Sequence, residues 1–337
     1  MTTERVRLSV AAARSLGERA LGGAGYEADE ARIITDHVID AALCGYEYSG
    51  LPKLLNVAEH PRHAAGRAPM RVLRESTVSV LLDGGNQTGM LGMYRATALA
   101  IERARAHGLA LVGLNNVWMT GRSAYYMEML GRAGLIGIHT VAASPSVVPL
   151  GGAKPALGTN PIAFGFPMNP DPLVIDLGTS AFMGTDLQFR ERLGVPLPEG
   201  VAVDEHGRPT TDAAAARRGA ILPFGGHKGY ALALAMHALG ALCREAAPAE
   251  HTGYFLIAFE PDLFTPLQDY QRTLAAELAA IKATPRQEGV GEIRIPGERA
   301  YRERARRERE GIEIDRRIHD ALVALAAGSR DPAGVVS

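Results

Sequence analysis

Along the first part of the chain, apolar positions return every three or four residues. Ile33, Ile34, His37, Val38, Ala41 and Ala42 fall on one stripe, which predicts a helix over 28–43. A helix over 8–21 precedes it, and GGAGYE separates the two. After Pro69 the period changes to two. RVLRESTVSVLLDGG alternates like a strand, and is expected to stop at Gly84 and Gly85. MYRATALAIERARAHG returns to helical spacing and is closed by Gly108. ALVGLNNV then reads as a short buried strand, and GRSAYYMEMLGRAG as a further helix. To about Asp176 the strands LIGIHTVAA, PIAFGFP and LVIDLG alternate with Gly/Pro turns. LPEGVAVDEHGRPTTD is a surface hairpin or irregular loop, 229–244 a buried helix, and GYFLIAFEP a strand. The last third ends in charged helices, where YRERARRERE reads as a solvated face with i,i+4 pairs.

Composition narrows the function classes. A net charge of −1 over 337 residues gives no field that would draw the chain to nucleic acid or to an anionic membrane, so neither partner is expected. The longest apolar run, YALALAMHALGALC, is too short for a membrane span. Cys44 and Cys243 are the only cysteines, a usage that fits a reduced cytoplasm better than a disulfide framework. The early segment VRLSVAAARSLGERAL is amphipathic and carries arginine, but Glu4 and Glu18 argue against a transit peptide. A cytoplasmic protein is expected.

Several short motifs carry little. GAGYEA, 23–28, fits the loose G-x-G-x-x-A pattern, yet it joins two helices where a dinucleotide turn needs a preceding strand. GGHKGY lacks the upstream glycine spacing of a phosphate loop. EHPRH, 59–63, has no metal-ligand spacing and no cysteine pair supports zinc, so no metal is expected.

Three segments stand apart because glycine and small polar residues cluster at strand ends. LGTNPIAFGFP sets Gly158, Thr159 and Asn160 before a strand, and DLGTSAFMGTD sets Thr179 and Ser180 after one. LPFGGHKGYALAL feeds His227, Lys228 and Gly229 into a helix whose free N–H groups suit an anion. Each alone is also a plain tight turn.

Taken in order, these motifs resemble the malate/L-lactate dehydrogenase family that is unrelated to the Rossmann dehydrogenases. DGGNQTGM, GRSAYY, PLGGAKPALGTNPIAFGFP, PEGVAVDEHGRPTTD, LPFGGHKGY and IPGER all stand in the family's order, so the resemblance covers nearly the whole chain. It implies an α/β fold without a Rossmann unit, with a central, largely antiparallel sheet in a cofactor domain and a helical domain built from N- and C-terminal segments. The implied division is a helical segment at 1–68, a dimerisation and substrate domain at 69–115 with 250–337, and an NAD(P)-binding domain at 116–249. It further implies a homodimer, a small-molecule substrate, and NADPH or NADH as cofactor, with NADPH placed first although no residue decides the adenosine 2′-position. Gly158, Thr159, Asn160, Thr179, Ser180, His227, Lys228 and Gly229 are the implied cofactor-lining positions, and Asp176 an implied site residue.

One stretch departs from the family. Where the family usually reads G-x-D-S-H-G-x-x-R-L, this chain reads GYEYSGLPKL, so Glu47, Tyr48, Ser49 and Lys53 replace Asp, Ser, His and Arg. The usual N-H-F-G reads WMTG, 118–121. Both imidazoles expected near the substrate are missing. Reducing a ketone makes an alkoxide that needs a proton from a tuned acid, which histidine supplies and an ordinary serine does not. Tyr48 or Lys53 could substitute. An imine can enter already protonated and leave as a neutral amine, so it tolerates the loss better. The expectation is therefore reduction of a C=N bond in a cyclic or conjugated imine of a small carboxylated metabolite, in a setting of specialised biosynthesis. Glu47 would hold the iminium, Lys53 the carboxylate, and Trp118, Met119, Thr120 and Arg122 would line a larger, less polar pocket. A 2-oxo-acid/2-hydroxy-acid dehydrogenase with a substitute acid, and a catalytically silent ligand-binding dimer, are the alternatives.

Overall fold

The computed structural model describes residues 4–244 and 252–329. A helical layer opens with β1 (Arg5–Leu8), α1 (Val10–Gly23), α2 (Ala28–Leu43), a 3-10 turn over Glu47–Ser49, and α3 (Pro52–Glu59). Ser9 starts α1 by accepting from the Ala12 amide, and Pro52 starts α3, where its missing N–H costs nothing. The sheet region follows with β2 (Arg71–Glu75), β3 (Ser79–Thr88), α4 (Gly89–His107), β4 (Leu109–Trp118), α5 (Ser123–Arg132), β5 (Ile136–Ala142), β6 (Ile162–Phe166) and β7 (Leu173–Leu177). Next come α6 (Gly184–Leu193), β8 (Ala202–Val203), α7 (Ala213–Arg218), β9 (Ala220–Ile221), α8 (His227–Ala241) and β10 (Gly253–Phe259). The chain then runs through α9 (Leu267–Lys282), α10 (Glu298–Glu310), β11 (Ile312–Asp315) and α11 (Arg316–Ala326).

A seven-stranded sheet orders as β2-β3-β4-β10-β5-β6-β7. Only β3 and β4 pair in parallel, and α4 supplies the crossover that a parallel pair requires. The remaining pairs are antiparallel, with β10 seated between β4 and β5. This is the largely antiparallel α/β fold expected. One core lies between this sheet and α4 and α5, and a second inside the helical layer, where Ile34, Leu54, Leu55, Ile314 and Leu322 are buried together. The early and late parts of the chain meet there: β1 pairs antiparallel with β11, and α1 packs on α11.

Four expectations change. The single alternating strand after Pro69 is a hairpin, because Ser76 accepts from the Ser79 amide and turns the chain at 76–78. Its second strand runs through Gly84 and Gly85 to Thr88 by an irregularity in the ladder, with Gly85 and Asn86 both at positive φ. Helix α8 is not buried: Ala233, Met236 and Gly240 face the protein, but Leu232 and Leu234 are 37% and 45% exposed. The run YRERARRERE is not solvated all round either. Tyr301, Arg304 and Arg307 share an inward face of α10, and Arg307 Nη1 donates to the Ala42 carbonyl at 2.9 Å.

Candidate active site

The end of α2, the 3-10 turn and the first turn of α3 form one wall of a cleft of about 490 Å³. Gly45, at φ +84°, lets the chain leave α2 and swing Tyr46, Tyr48, Ser49 and Lys53 onto this wall. Arg122, Asp176, Gly178, Met183, Thr185 and Tyr301 line the other sides. Lys53 is 3% exposed, and its Nζ donates to Thr185 Oγ1 at 3.2 Å. No carboxylate pairs with it among the described residues. Burial penalises the ammonium and brings its pKa from 10.5 to about 8. Tyr48 moves the other way, to about 12, chiefly by burial and further by Tyr46, Asp186 and Asp176, so it is a neutral phenol.

Asp176 stands one residue before the end of β7, its surface open to the cleft while the surrounding protein limits its solvation. Burial raises its pKa; the Ala124 amide, the Arg122 charge and the Ser123 amide oppose that rise. Its Oδ2 accepts from Ala124 N at 2.8 Å, in the first turn of α5, where a carboxylate is favoured by the helix dipole.

Behind this wall lies a mostly buried ion-pair network. Arg122 reaches Asp40 at 2.6 Å, and Arg304 reaches Asp40 at 2.6 Å and Glu128 at 2.8 Å. Asp40, Cys44 and Glu128 sit close enough to suggest a cation site, but the two guanidiniums already hold the carboxylates. The Arg122 amide donates to His37 Nε2 at 2.9 Å. Gly121 permits this approach, since a Cβ there would lie 2.0 Å from His37 Nε2 at a backbone φ of +74°. Burial, then Arg122 and Lys53, push the His37 pKa well below the usual imidazole value, so the ring is neutral. No histidine lines the cleft among the described residues.

The structure places four candidate residues elsewhere. Glu47 is gripped by Arg5 at 2.8 and 2.9 Å and faces away from the cleft. Trp118 belongs to the core of the helical layer; it stacks on His60 at 4.2 Å and donates to the Asn86 carbonyl at 3.1 Å. Met119, at φ +60°, lines a separate cavity with His60 and Arg192. Thr120 is buried, its carbonyl accepting from the Tyr126 hydroxyl at 2.5 Å. The expected widening of the pocket by Trp118 and Met119 therefore does not occur, because β4 runs to Trp118 and turns that ring into the core.

The three glycine-rich segments do converge, and main-chain bonds join them. The Thr179 amide donates to the Thr159 carbonyl at 2.9 Å, and the Phe224 amide to the Thr179 carbonyl at 3.1 Å. Gly229 is needed where the helix start meets both, since a Cβ there would lie 2.2 Å from Phe224 O and 2.8 Å from Thr179 O. Gly158 packs on Ala143, and Ser180 Oγ donates to the Phe182 carbonyl at 2.7 Å. Asn160, at φ +33°, is wholly buried; its amide side chain bridges Ala143 N and Ala233 O, both at 2.9 Å, which makes it a brace. His227 and Lys228 stand exposed on the first turn of the fifteen-residue α8. These loops border the cleft directly, because Gly178 lies against Met183, Ser180 and Thr159.

Comparisons with known proteins identify the family. A family model described as malate/L-lactate dehydrogenase matches residues 8–323. The chain belongs to the malate/L-lactate dehydrogenase family. It is 32% identical to the malate/(S)-sulfolactate dehydrogenase of Methanothermus fervidus, over 93% of this chain and 95% of that protein. It is 39% identical to the Δ1-pyrroline-2-carboxylate/Δ1-piperideine-2-carboxylate reductase of Pseudomonas aeruginosa, over 67% of this chain and 70% of that one. A solved dehydrogenase structure from Sinorhizobium meliloti superposes with a TM-score of 0.88 at 31% identity, covering 96% of this chain and 99% of that one. Membership makes the protein an oxidoreductase with a nicotinamide cofactor.

The loop cluster fits such a cofactor. Gly225 and Gly226 have open space on their outer side, and a cationic side chain sits at a long helix's N-terminus beside the cleft. Sequence reading missed Asp40, Glu128, Thr185, Tyr301 and Arg304. Three of them leave a signal: Asp40 interrupts the apolar stripe of α2, and Tyr301 and Arg304 share a face with Ala300, the one buried residue of α10.

Proposed function

We propose that this protein uses NADPH or NADH to reduce the C=N bond of a small carboxylated metabolite, a cyclic or conjugated imine. The observation that carries this reading is the cleft's lining: an unpaired ammonium, Lys53, and a carboxylate, Asp176, with no imidazole. Lys53 holds the substrate carboxylate, and Asp176 faces a protonated C=N nitrogen. Tyr48 and Ser49 bound the remaining wall. Gly158, Thr159, Thr179, Ser180, His227, Lys228 and Gly229 hold the cofactor, which when bound supplies the hydride. An iminium that gains a hydride at carbon becomes a neutral amine, so no side chain has to deliver a proton to the nitrogen during the reduction. The split into residues 1–68, 69–115 with 250–337, and 116–249 is the working division into helical, substrate and cofactor parts.

A second reading is reduction of a 2-oxo acid with Lys53 as the acid. Its support is the Lys53 pKa near 8, close to the working pH that general acid catalysis favours. A panel with purified protein separates the two. Consumption of NADPH or NADH with Δ1-piperideine-2-carboxylate but not with pyruvate is expected; the reverse pattern overturns the first reading. Cofactor binding without turnover of either leaves a silent ligand-binding protein.

The exposed apolar face of α8 supports a homodimer, because leucines at this exposure are normally covered. Sedimentation at two protein concentrations tests it. Two buried free thiols, Cys44 and Cys243, support a cytoplasmic setting.

A further inference from the structure

We infer that the cleft selects substrates by total charge, admitting zwitterions and monoanions and rejecting dianions. This deepens the reading above and rests on the cleft being the substrate site.

Four charged side chains line the cleft: Lys53, Arg122, Glu128 and Asp176. Two of them are committed. Arg122 is bound to Asp40, Glu128 to Arg304, and Arg304 also to Asp40, so two guanidiniums and two carboxylates cancel behind the wall. Arg299, which is not part of the lining, is held at the Cys44 carbonyl and over the Tyr46 ring, and Arg190 pairs with Asp186. Among the lining side chains, one positive charge, Lys53, and one negative charge, Asp176, remain outside an ion pair.

A single carboxylate entering this space meets the Lys53 ammonium. A second anionic group meets no cation and faces Asp176, while losing its water. A protonated imine carrying one carboxylate uses both charges and leaves the cleft neutral. The relatives' names span both kinds of substrate: malate and sulfolactate are dianions, whereas pyrroline- and piperideine-2-carboxylate carry one acid group. The charge balance of this chain matches the second kind.

The test measures binding separately from turnover, with full-length protein saturated with NADP+ or NAD+. Titration calorimetry compares L-pipecolate and L-lactate with L-malate. The monocarboxylates are expected to bind about tenfold or more tightly than malate. Equal or tighter malate binding overturns the inference. Asp176→Asn, which keeps an acceptor for the Ala124 amide, should shift the ratio about tenfold toward malate by removing the opposing charge. Met183→Lys, on the partly exposed rim, should shift it the same way without touching Asp176 or Lys53, and serves if the first variant does not fold. An unchanged ratio in a folded Met183→Lys variant overturns the inference. Failure of the C=N reading looks different: pyruvate is then turned over and the imine is not, while the preference for one carboxylate over two stands.

Discussion

The two sides of the cleft are built from different materials. On the side proposed for the substrate the wall is held by side chains: Arg122, Asp40, Arg304 and Glu128 lock α2, α5 and α10 together. On the cofactor side, Thr159, Thr179 and Phe224 are joined through their amides and carbonyls, and Gly229 fits only because it has no side chain. A wall made of side chains can exchange its reactive groups while its frame persists. A loop cluster made of main chain can keep its shape only if its glycines stay. This explains how the residues proposed to face the substrate depart from the family pattern while the glycine segments keep it.

The contrast can be broken most directly at Lys53. Lys53→Met should lower kcat/KM by about 10²–10⁴ if the ammonium anchors or protonates the substrate, measured as steady-state turnover. Its melting temperature should hold or rise, because an unpaired buried charge is removed. Arg304→Ala should cost about 3–5 kcal/mol of folding stability in a denaturant titration, since Asp40 and Glu128 lose a buried partner. Gly229→Ala should act through the backbone instead, weakening cofactor binding seen by Trp118 fluorescence while monocarboxylate chemistry on the other wall keeps its substrate order.

A pH series separates the walls more finely. The folded-state pKa of Lys53 lies below its unfolded value, so the unfolded chain binds more protons between about 8 and 10.5. The cost of burying the charge is therefore fully present below pH 8 and is relieved as pH rises through that window, by roughly 3 kcal/mol in all. Wild-type protein should gain stability over that range relative to Lys53→Met, while its activity falls as the ammonium is lost. The smallest effect belongs to Glu47. Glu47→Gln should cost about 0–1 kcal/mol and leave turnover unchanged, because this side chain pairs with Arg5 outside the cleft. A large activity loss there would contradict its outward placement.

Much of the fold was legible. The stripes in 8–21 and 28–43 and the glycine stop at Gly108 translate almost directly into α1, α2 and α4, because local periodicity determines them. The β2–β3 turn was missed because Ser76 and Thr77 are weak punctuators beside the glycines that follow. Helix α8 reads as buried because it is apolar on every side, and periodicity alone does not say what covers the second face. At the site, Lys53, Ser49, Tyr48, Arg122 and Asp176 do share one cleft. Glu47 and Trp118 could not be placed by sequence, since a one-residue difference along a 3-10 turn or a strand reverses the direction of a side chain. Arg304 was hidden in a charge-rich run where its inward position shows only against Ala300.

The pairing of β1 with β11 has a consequence for how the molecule comes into being. The sheet from β2 to β10 can assemble from contiguous chain, whereas the helical layer needs residues 5–8 to wait for residues 312–315. Contacts so far apart in sequence form late. During synthesis the glycine-rich loops can therefore be in place while Lys53 still lies in an unfinished layer, which is completed only once α10, β11 and α11, residues 298–326, have been made.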